Sequence, residues 1–343
     1  SLRSLTMRAV VTYKHGGLDQ MVFEQKYPDP IPRPTDVILR MRACTLNYHD
    51  VFTRKGMPGI KVPMPIILGI DVAGEVDAVG ADVEGILVGQ RVLVDPIDRV
   101  EGGLLGETFD GGLAELVRVP AHMIVPLPDD ISFADAAALP VAYGTAYRMM
   151  VARARIRPGE KVLVLGASGG VGTCCVQLAK QAGATVIACA SSDEKLERLK
   201  RLGADIGLNY ATTDWVAECH RRFGRARVFR KNEGGIDVVV NFTGGETWVP
   251  SLRVLRRDGR LLTCGATAGY DPAEDIRIIW TFELNIIGSN GWSREDVLAL
   301  LELVRERKLK PALHPKRFSI ENAVEAMRLL DDRQVFGKIV IEP

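Results

Sequence analysis

At 343 residues and 47% apolar content, the chain is long enough for about two domains and has the composition of an ordinary soluble protein. A net charge of +1 supplies no global field to draw in nucleic acid or an anionic membrane. The cysteines, at Cys44, Cys174, Cys175, Cys189, Cys219 and Cys264, form no C-x-x-C pair and nothing in the sequence resembles a secretory signal, which argues against a disulfide framework and predicts reduced thiols in a cytoplasmic protein.

Ser1 and Leu2 read as residues appended ahead of a start at Met7. Residues 7–130 predict a strand-rich region. Its apolar runs, Arg8–Tyr13, Asp36–Ala43, Ala73–Val79, Gln90–Val94 and Ala114–Val119, are separated by Gly, Pro and Asp turn signals. From about residue 144 strands and amphipathic helices alternate. Strands are predicted at Lys161–Leu165, Thr185–Ala190, Ile206–Asn209, Ile236–Asn241, Arg260–Cys264 and Asn285–Gly288. Helices are predicted at Gly170–Ala182, Asp193–Leu202, Asp214–Phe223 and Glu246–Leu255. This alternation implies βαβ units and a doubly wound parallel sheet of Rossmann type. Two more helices, Arg294–Arg307 and Ile320–Asp331, precede a last strand at Gly337–Ile341.

The first βα turn, VLVLGASGGVG, carries Gly166, Gly169, Gly170 and Gly172. Glycines there permit a tight turn and let backbone N–H groups and a helix N-terminus approach a pyrophosphate. The second strand ends at Ala190, where a binder of NAD would place an acid for the ribose 2′-hydroxyl; Asp193 falls in the first turn of the next helix instead. With Ser191 and Lys195 nearby, the missing acid favours a 2′-phosphate, and so NADP(H). The alternative, a Ser191/Glu194 capping box with Lys195 as a solvated helix charge, stays open.

Five stretches, LGASGGVG (165–172), DGGLAELVRVP (110–120), LPVAYGTAY (139–147), GRLLTCGATAGY (259–270) and FGKIVIEP (336–343), together resemble the medium-chain dehydrogenase/reductase superfamily. The resemblance implies a GroES-like catalytic domain built from residues 1–143 and 288–343, around a Rossmann domain of residues 144–287, with the cofactor in the cleft between them. By motif position it implies cofactor contacts at Thr145, Gly169, Gly170, Val171, Gly172, Ser191, Lys195, Tyr210, Gly265 and Lys338. It also implies a homodimer formed through the last Rossmann strand, near Ile286–Gly288.

Zinc members of that superfamily bind catalytic zinc through Cys, His and Cys; here those places are held by Asn47, Ile70 and Val141. Their relay hydroxyl falls on His49 and their relay histidine on Phe52, and no cysteine lies between Arg91 and Gly111 for a structural zinc. The pattern is similar to the zinc-free quinone-oxidoreductase branch. It implies no metal, NADPH as reductant, and a quinone or α,β-unsaturated carbonyl as the small-molecule acceptor, because developing charge can spread into a quinol or enolate held by hydrogen-bond donors. Asn47 would orient the ligand, and Tyr48 or His49 would donate a proton. The loop GMPGI (56–60) lacks the tyrosine of enoyl-thioester reductases, which argues against that acceptor class. Two alternatives stay open: an alcohol dehydrogenase-like oxidoreductase of another substrate class, and a non-catalytic NADPH-binding protein of the crystallin or RNA-binding kind. Arg221, Arg222, Arg225, Arg227, Arg230 and Lys231 form the only local basic cluster for nucleic acid, and charge neutrality argues against that partner.

Overall fold

A computed structural model of the protein describes residues 5–230 and 233–343. The chain divides into two compact units, Ser1–Ala142 with Val297–Pro343, and Tyr143–Asp296. The resemblance puts the second crossing after residue 287, and in the structure it falls between Asp296 and Val297. It comes later because the chain after the last Rossmann strand stays with the second unit, where Trp292 packs against the bare Cα of Gly144.

The first unit opens with β1 (Thr6–Thr12) paired antiparallel to β2 (Met21–Pro28). Then come β3 (Asp36–Thr45), α1 (Tyr48–Lys55), β4 (Asp71–Val79), β5 (Arg91–Val94), β6 (Leu116–Pro120), β7 (Ile124–Pro126) and α2 (Phe133–Ala137). Strand β3 organises this unit. Its Val37, Ile38, Leu39, Met41 and Cys44 are buried, while Arg40 and Arg42 stand out to pair with Asp77 and Glu75 across β4. Burying each such Val or Leu contributes about 1.5–3 kcal/mol, against a few tenths for the exposed ion pairs. The packing therefore decides the register.

The second unit starts in an irregular helical stretch containing α3 (Gly144–Tyr147). It continues through β8 (Lys161–Val164), α4 (Gly170–Gln181), β9 (Thr185–Ala190), α5 (Asp193–Leu202), β10 (Ile206–Asn209), α6 (Trp215–Phe223), β11 (Ile236–Val240), α7 (Trp248–Val254), β12 (Leu255–Thr263), α8 (Arg277–Thr281) and β13 (Asn285–Gly288). All six strands are parallel, in the order β10-β9-β8-β11-β12-β13. Sequence order thus reverses between β8 and β11, the switch point beyond whose carboxyl ends such sheets bind ligands. Val162, Leu163 and Val164 of β8 are fully buried, as a strand covered on both faces requires.

The chain crosses back within α9 (Arg294–Arg305) and completes the first unit with β14 (Phe318–Ser319), α10 (Ala323–Asp331) and β15 (Val340–Glu342). Strand β15 lies antiparallel on β3, pairing Val340 with Thr45 and Ile341 with Cys44. Arg54, fully buried at the end of α1, donates to both carboxylate oxygens of Asp331 (3.2 and 2.7 Å) and to Gly16 O (3.2 Å). The GroES-like unit is thereby stitched together from both ends of the chain.

Candidate active site

The glycine turn after β8 has the form expected of it. Gly166 has φ +59°, a backbone that favours glycine. A Cβ on Gly172 would lie 2.5 Å from Gly166 O and 2.6 Å from Ala167 Cα, so α4 starts where it does only because Gly172 has no side chain. Gly169 serves differently: a Cβ there would meet nothing closer than Gly166 O at 3.9 Å. Its backbone is open, as a phosphate approach needs, and Gly170 and Val171 begin α4 behind it. These residues fit a dinucleotide. Thr145 lies half-buried in α3, and Gly265 is exposed just past the end of β12.

At the end of β9 the cap of α5 is Ser192, whose Oγ accepts from Lys195 N (3.2 Å). Ser191 is not the cap, and the Ser191/Glu194 capping box does not form. Freed from that task, the Ser191 hydroxyl receives the Lys195 ammonium at 3.3 Å. Tyr210 N donates to Ala190 O (3.1 Å), which ties the main chain of the half-exposed Tyr210 to the same strand end. A hydroxyl and an ammonium therefore stand together at the strand end where a binder of the unphosphorylated ribose carries an acid.

In the first unit the segment LGIDVAG turns at Gly69 (φ +105°), where a Cβ would lie 2.8 Å from Cys44 Sγ. Ile70 is buried, and Asp71 is fully buried at the start of β4. Asp71 Oδ2 accepts from Thr45 Oγ1 (3.0 Å), Asn47 Nδ2 (2.9 Å) and Lys338 Nζ (3.3 Å), while Oδ1 accepts from Val141 N (3.1 Å). Lys338 Nζ also donates to Leu46 O (2.8 Å) and to Asn47 Oδ1. Burial pushes the Lys338 pKa down; the Asp71 and Asp50 carboxylates oppose the shift. All three ammonium protons are engaged inside the unit, on Leu46 O, Asn47 Oδ1 and Asp71 Oδ2, at the place the resemblance gives to a cofactor contact.

This donor set does not fit catalytic zinc. Ile70 and Val141 offer no side-chain donor, and an ammonium stands between Asn47 and Asp71 where a dication would need lone pairs. Among the described residues no group of His, Cys, Asp and Glu gathers to hold a metal ion.

Helix α1 presents the remaining candidates. Asp50 is fully buried; its Oδ2 accepts from Asn47 N (2.9 Å) and its Oδ1 from Gly69 N (3.1 Å), fastening α1 to the glycine turn. Burial raises its pKa to about 6 against those two hydrogen bonds. A carboxyl with a raised folded pKa stabilises fully below its unfolded value, about pH 4, and that stability is lost as pH rises through about 6. Calorimetry should therefore show the stability difference between D50N and wild type moving in the variant's favour by on the order of 2 kcal/mol between pH 4 and pH 8. A constant difference across that range would remove the assignment.

Tyr48 packs on the apolar core with the Arg333 guanidinium over its ring (5.9 Å). His49, a third exposed, points Nε2 at Glu107 Oε1 (2.7 Å). Burial by itself would lower the His49 pKa, but the hydrogen bond and charge of Glu107, with the charge of Asp50, raise it. Of the basic cluster, Arg221 and Arg222 pair with Glu218 and Arg230 with Glu233, an exposed helix surface; Lys231 lies outside the described residues. Cys174 and Cys175 are buried and their thiols pushed well up, so they serve packing. Sequence reading missed Thr45 and Glu107, and it did not anticipate the closure of Lys338 on Asp71. The signal for Lys338 was a lone cation in the apolar run FGKIVI, which can be buried only with a partner.

Residues 33–129 match the profile of the alcohol dehydrogenase GroES-like domain, and residues 170–306 that of the zinc-binding dehydrogenases. The 2-methylene-furan-3-one reductase of Solanum lycopersicum is 32% identical, covering 98% of this chain and 79% of its own. The acryloyl-coenzyme A reductase of Sulfurisphaera tokodaii (strain DSM 16993) is 30% identical, with coverages of 93% and 96%. A crystal structure of an NAD-dependent alcohol dehydrogenase superposes with a TM-score of 0.89 at 37% identity, over 98% of this chain and all of that one.

Proposed function

We propose, starting from the fact that this chain belongs to the medium-chain dehydrogenase/reductase superfamily of oxidoreductases, that it is a zinc-independent, NADPH-dependent reductase of conjugated carbonyl acceptors. The observation that carries this reading is the ammonium of Lys338 in the donor set of Asn47 and Asp71, where zinc relatives would need metal ligands. Without a Lewis acid, oxidation of a simple alcohol has nothing to manage its alkoxide, whereas reduction of a conjugated acceptor needs only donors and a proton. Two relatives, the furanone reductase and the acryloyl-coenzyme A reductase, are named for such acceptors. The second of them restores enoyl thioesters to the candidates despite the missing loop tyrosine. Quinones remain in the same chemical class.

A nicotinamide dinucleotide bound at the glycine turn supplies the hydride. Gly169 and the N-terminus of α4 hold its pyrophosphate, and Ser191, Lys195 and Tyr210 its 2′-phosphate. His49 rather than Tyr48 is the proton donor, because its Nε2 is held by the Glu107 carboxylate, while the partly buried Tyr48 packs against the apolar core under the Arg333 guanidinium. Asn47 is committed on both sides of its amide, to Lys338 and Asp71, and so positions the turn ahead of α1. The open edge strand β13, with Ile286 and the nearby Trp280 exposed, is the surface on which a second copy of the chain would pair. A monomer mass by light scattering would remove that part of the reading.

The test is NADPH oxidation with 2-alkenones, 2-alkenals, enoyl thioesters and quinones, run beside NAD+ reduction with alcohols. Turnover of conjugated acceptors that survives chelation is expected; alcohol oxidation lost on chelation would overturn the proposal. Lys195→Ala is expected to weaken NADPH about tenfold or more and leave NADH unchanged. Equal weakening of both would place Lys195 away from the 2′-phosphate.

A further inference from the structure

The loop between β5 and β6 closes over the glycine turn at Gly69. In zinc relatives this region carries a four-cysteine lobe; here, between Arg91 and Gly111, it holds no cysteine and returns instead over Gly69. Gly106 has φ +79°, and a Cβ on it would lie 2.8 Å from Gly69 O. Gly111 N donates to Ile67 O (2.7 Å) and Gly112 N to Gly69 O (2.8 Å). Within the turn, Glu107 N and Thr108 N donate to Leu104 O (3.1 and 2.9 Å), and Gly106 N to Phe109 O (2.8 Å). The backbone on both sides of Glu107 is thus tied down, against the same glycine that Asp50 of α1 grips through its carboxylate.

The side chain of Glu107 is 13% exposed and meets His49 Nε2 at 2.7 Å. One carboxylate oxygen against one ring nitrogen sets the ring's tautomer and orientation. The other nitrogen, Nδ1, has no hydrogen-bond partner among the described residues and lies on a ring a third exposed. The charged groups bearing on His49 are Glu107 from the loop and Asp50 from its own helix, both acidic.

We propose that Glu107 is a positioning residue for proton delivery: it holds the His49 imidazolium by Nε2–H and leaves Nδ1–H as the acid that protonates the reduced acceptor. The proposal rests on the reading above of His49 as donor in conjugated-carbonyl reduction. Hydride given up by the reduced nicotinamide, whose C–H bond would break as it is oxidised, would add to the β-carbon; the π electrons move toward the carbonyl oxygen, and the resulting enolate takes the Nδ1 proton. The Nδ1–H bond breaks, His49 is left neutral with Nε2–H still on Glu107, and solvent returns the proton. No further oxidant or reductant is consumed.

The test compares wild type with E107Q, E107D and H49N. The His49 imidazole is followed by NMR titration of the protein without ligand, with H49N assigning the signal, and kcat is followed against pH. In E107Q, whose Gln keeps the shape and loses the charge, His49 is expected to titrate at lower pH than in wild type. The basic limb of the kcat profile should move with it, costing on the order of tenfold at pH 8 and little at pH 6; E107D should restore part of both. An unchanged His49 titration in E107Q would show that the carboxylate does not govern the ring. A shifted titration with an unshifted kcat profile, or full activity in H49N, would sink the inference and leave the reductase reading standing. If wild type turns over no conjugated acceptor, the reductase reading fails and this role for Glu107 falls with it.

Discussion

Lys338→Met is expected to destabilise the GroES-like unit by about 3–5 kcal/mol, the cost of removing one partner from a buried ion pair. Asp71 is fully buried, and without Lys338 its carboxylate keeps only the donors of Thr45, Asn47 and Val141. Urea unfolding gives the number, and the double variant Lys338→Met/Asp71→Asn should recover part of the loss, since the orphaned charge is then gone. A midpoint close to wild type would mean the ammonium contributes nothing at this place. The same variant separates structure from cofactor binding: folded Lys338→Met protein should keep its NADPH affinity, because no ammonium proton is free for a phosphate.

Gly172→Ala and Gly169→Ala should part company. At Gly172 a methyl would press on Gly166 O at 2.5 Å and Ala167 Cα at 2.6 Å, all backbone, so α4 must shift. The expectation is a loss of about 1–3 kcal/mol in stability and about a hundredfold in NADPH affinity. At Gly169 a methyl has room within the protein, with its nearest contact at 3.9 Å, yet it stands on the surface left open for the pyrophosphate. That variant should keep its melting temperature and lose affinity. Calorimetry and NADPH titration on both proteins test the contrast; two variants with the same profile would deny that the two glycines have different tasks.

The Rossmann half was legible because each of its signals is local. Thr185–Ala190, Asp193–Leu202, Ile206–Asn209 and Asn285–Gly288 fall at their expected bounds, since a buried central strand, short apolar runs between polar turns and a helix stopped by Gly203 leave few alternatives. The predicted helix Glu246–Leu255 shortens to Trp248–Val254 because a 3-10 turn occupies Gly245–Thr247 and Leu255 already belongs to β12. The first unit was harder. Strand β2 alternates poorly and carries Glu24, Gln25 and Lys26 on an exposed stretch, and α1 is eight residues long with little apolar pattern. The failures at the site share one cause. Glu107 meets His49 across 58 residues and Lys338 meets Asp71 across 267, and no window along the chain contains either pair. The Ser191 hydroxyl was a finer matter, settled by which of two adjacent serines turned inward to cap α5.

The stitching of the first unit also bears on how it is made. Asp71 and Arg54 are bound for a fully buried place, yet their partners, Lys338 and Asp331, lie 267 and 277 residues further along and are synthesised after the Rossmann unit. While the Rossmann unit is translated and folds as a domain of its own, the N-terminal sheet waits with a carboxylate and a guanidinium that cannot be closed into its core. A nascent chain ending at Ala142 carries nearly all of that unit's apolar strands but neither counter-charge, and is therefore not a minimal folding unit. Completion of the GroES-like half is therefore postponed until Asp331 and Lys338 have followed the Rossmann unit out of the ribosome, so the later segment, not the earlier sheet, closes this core.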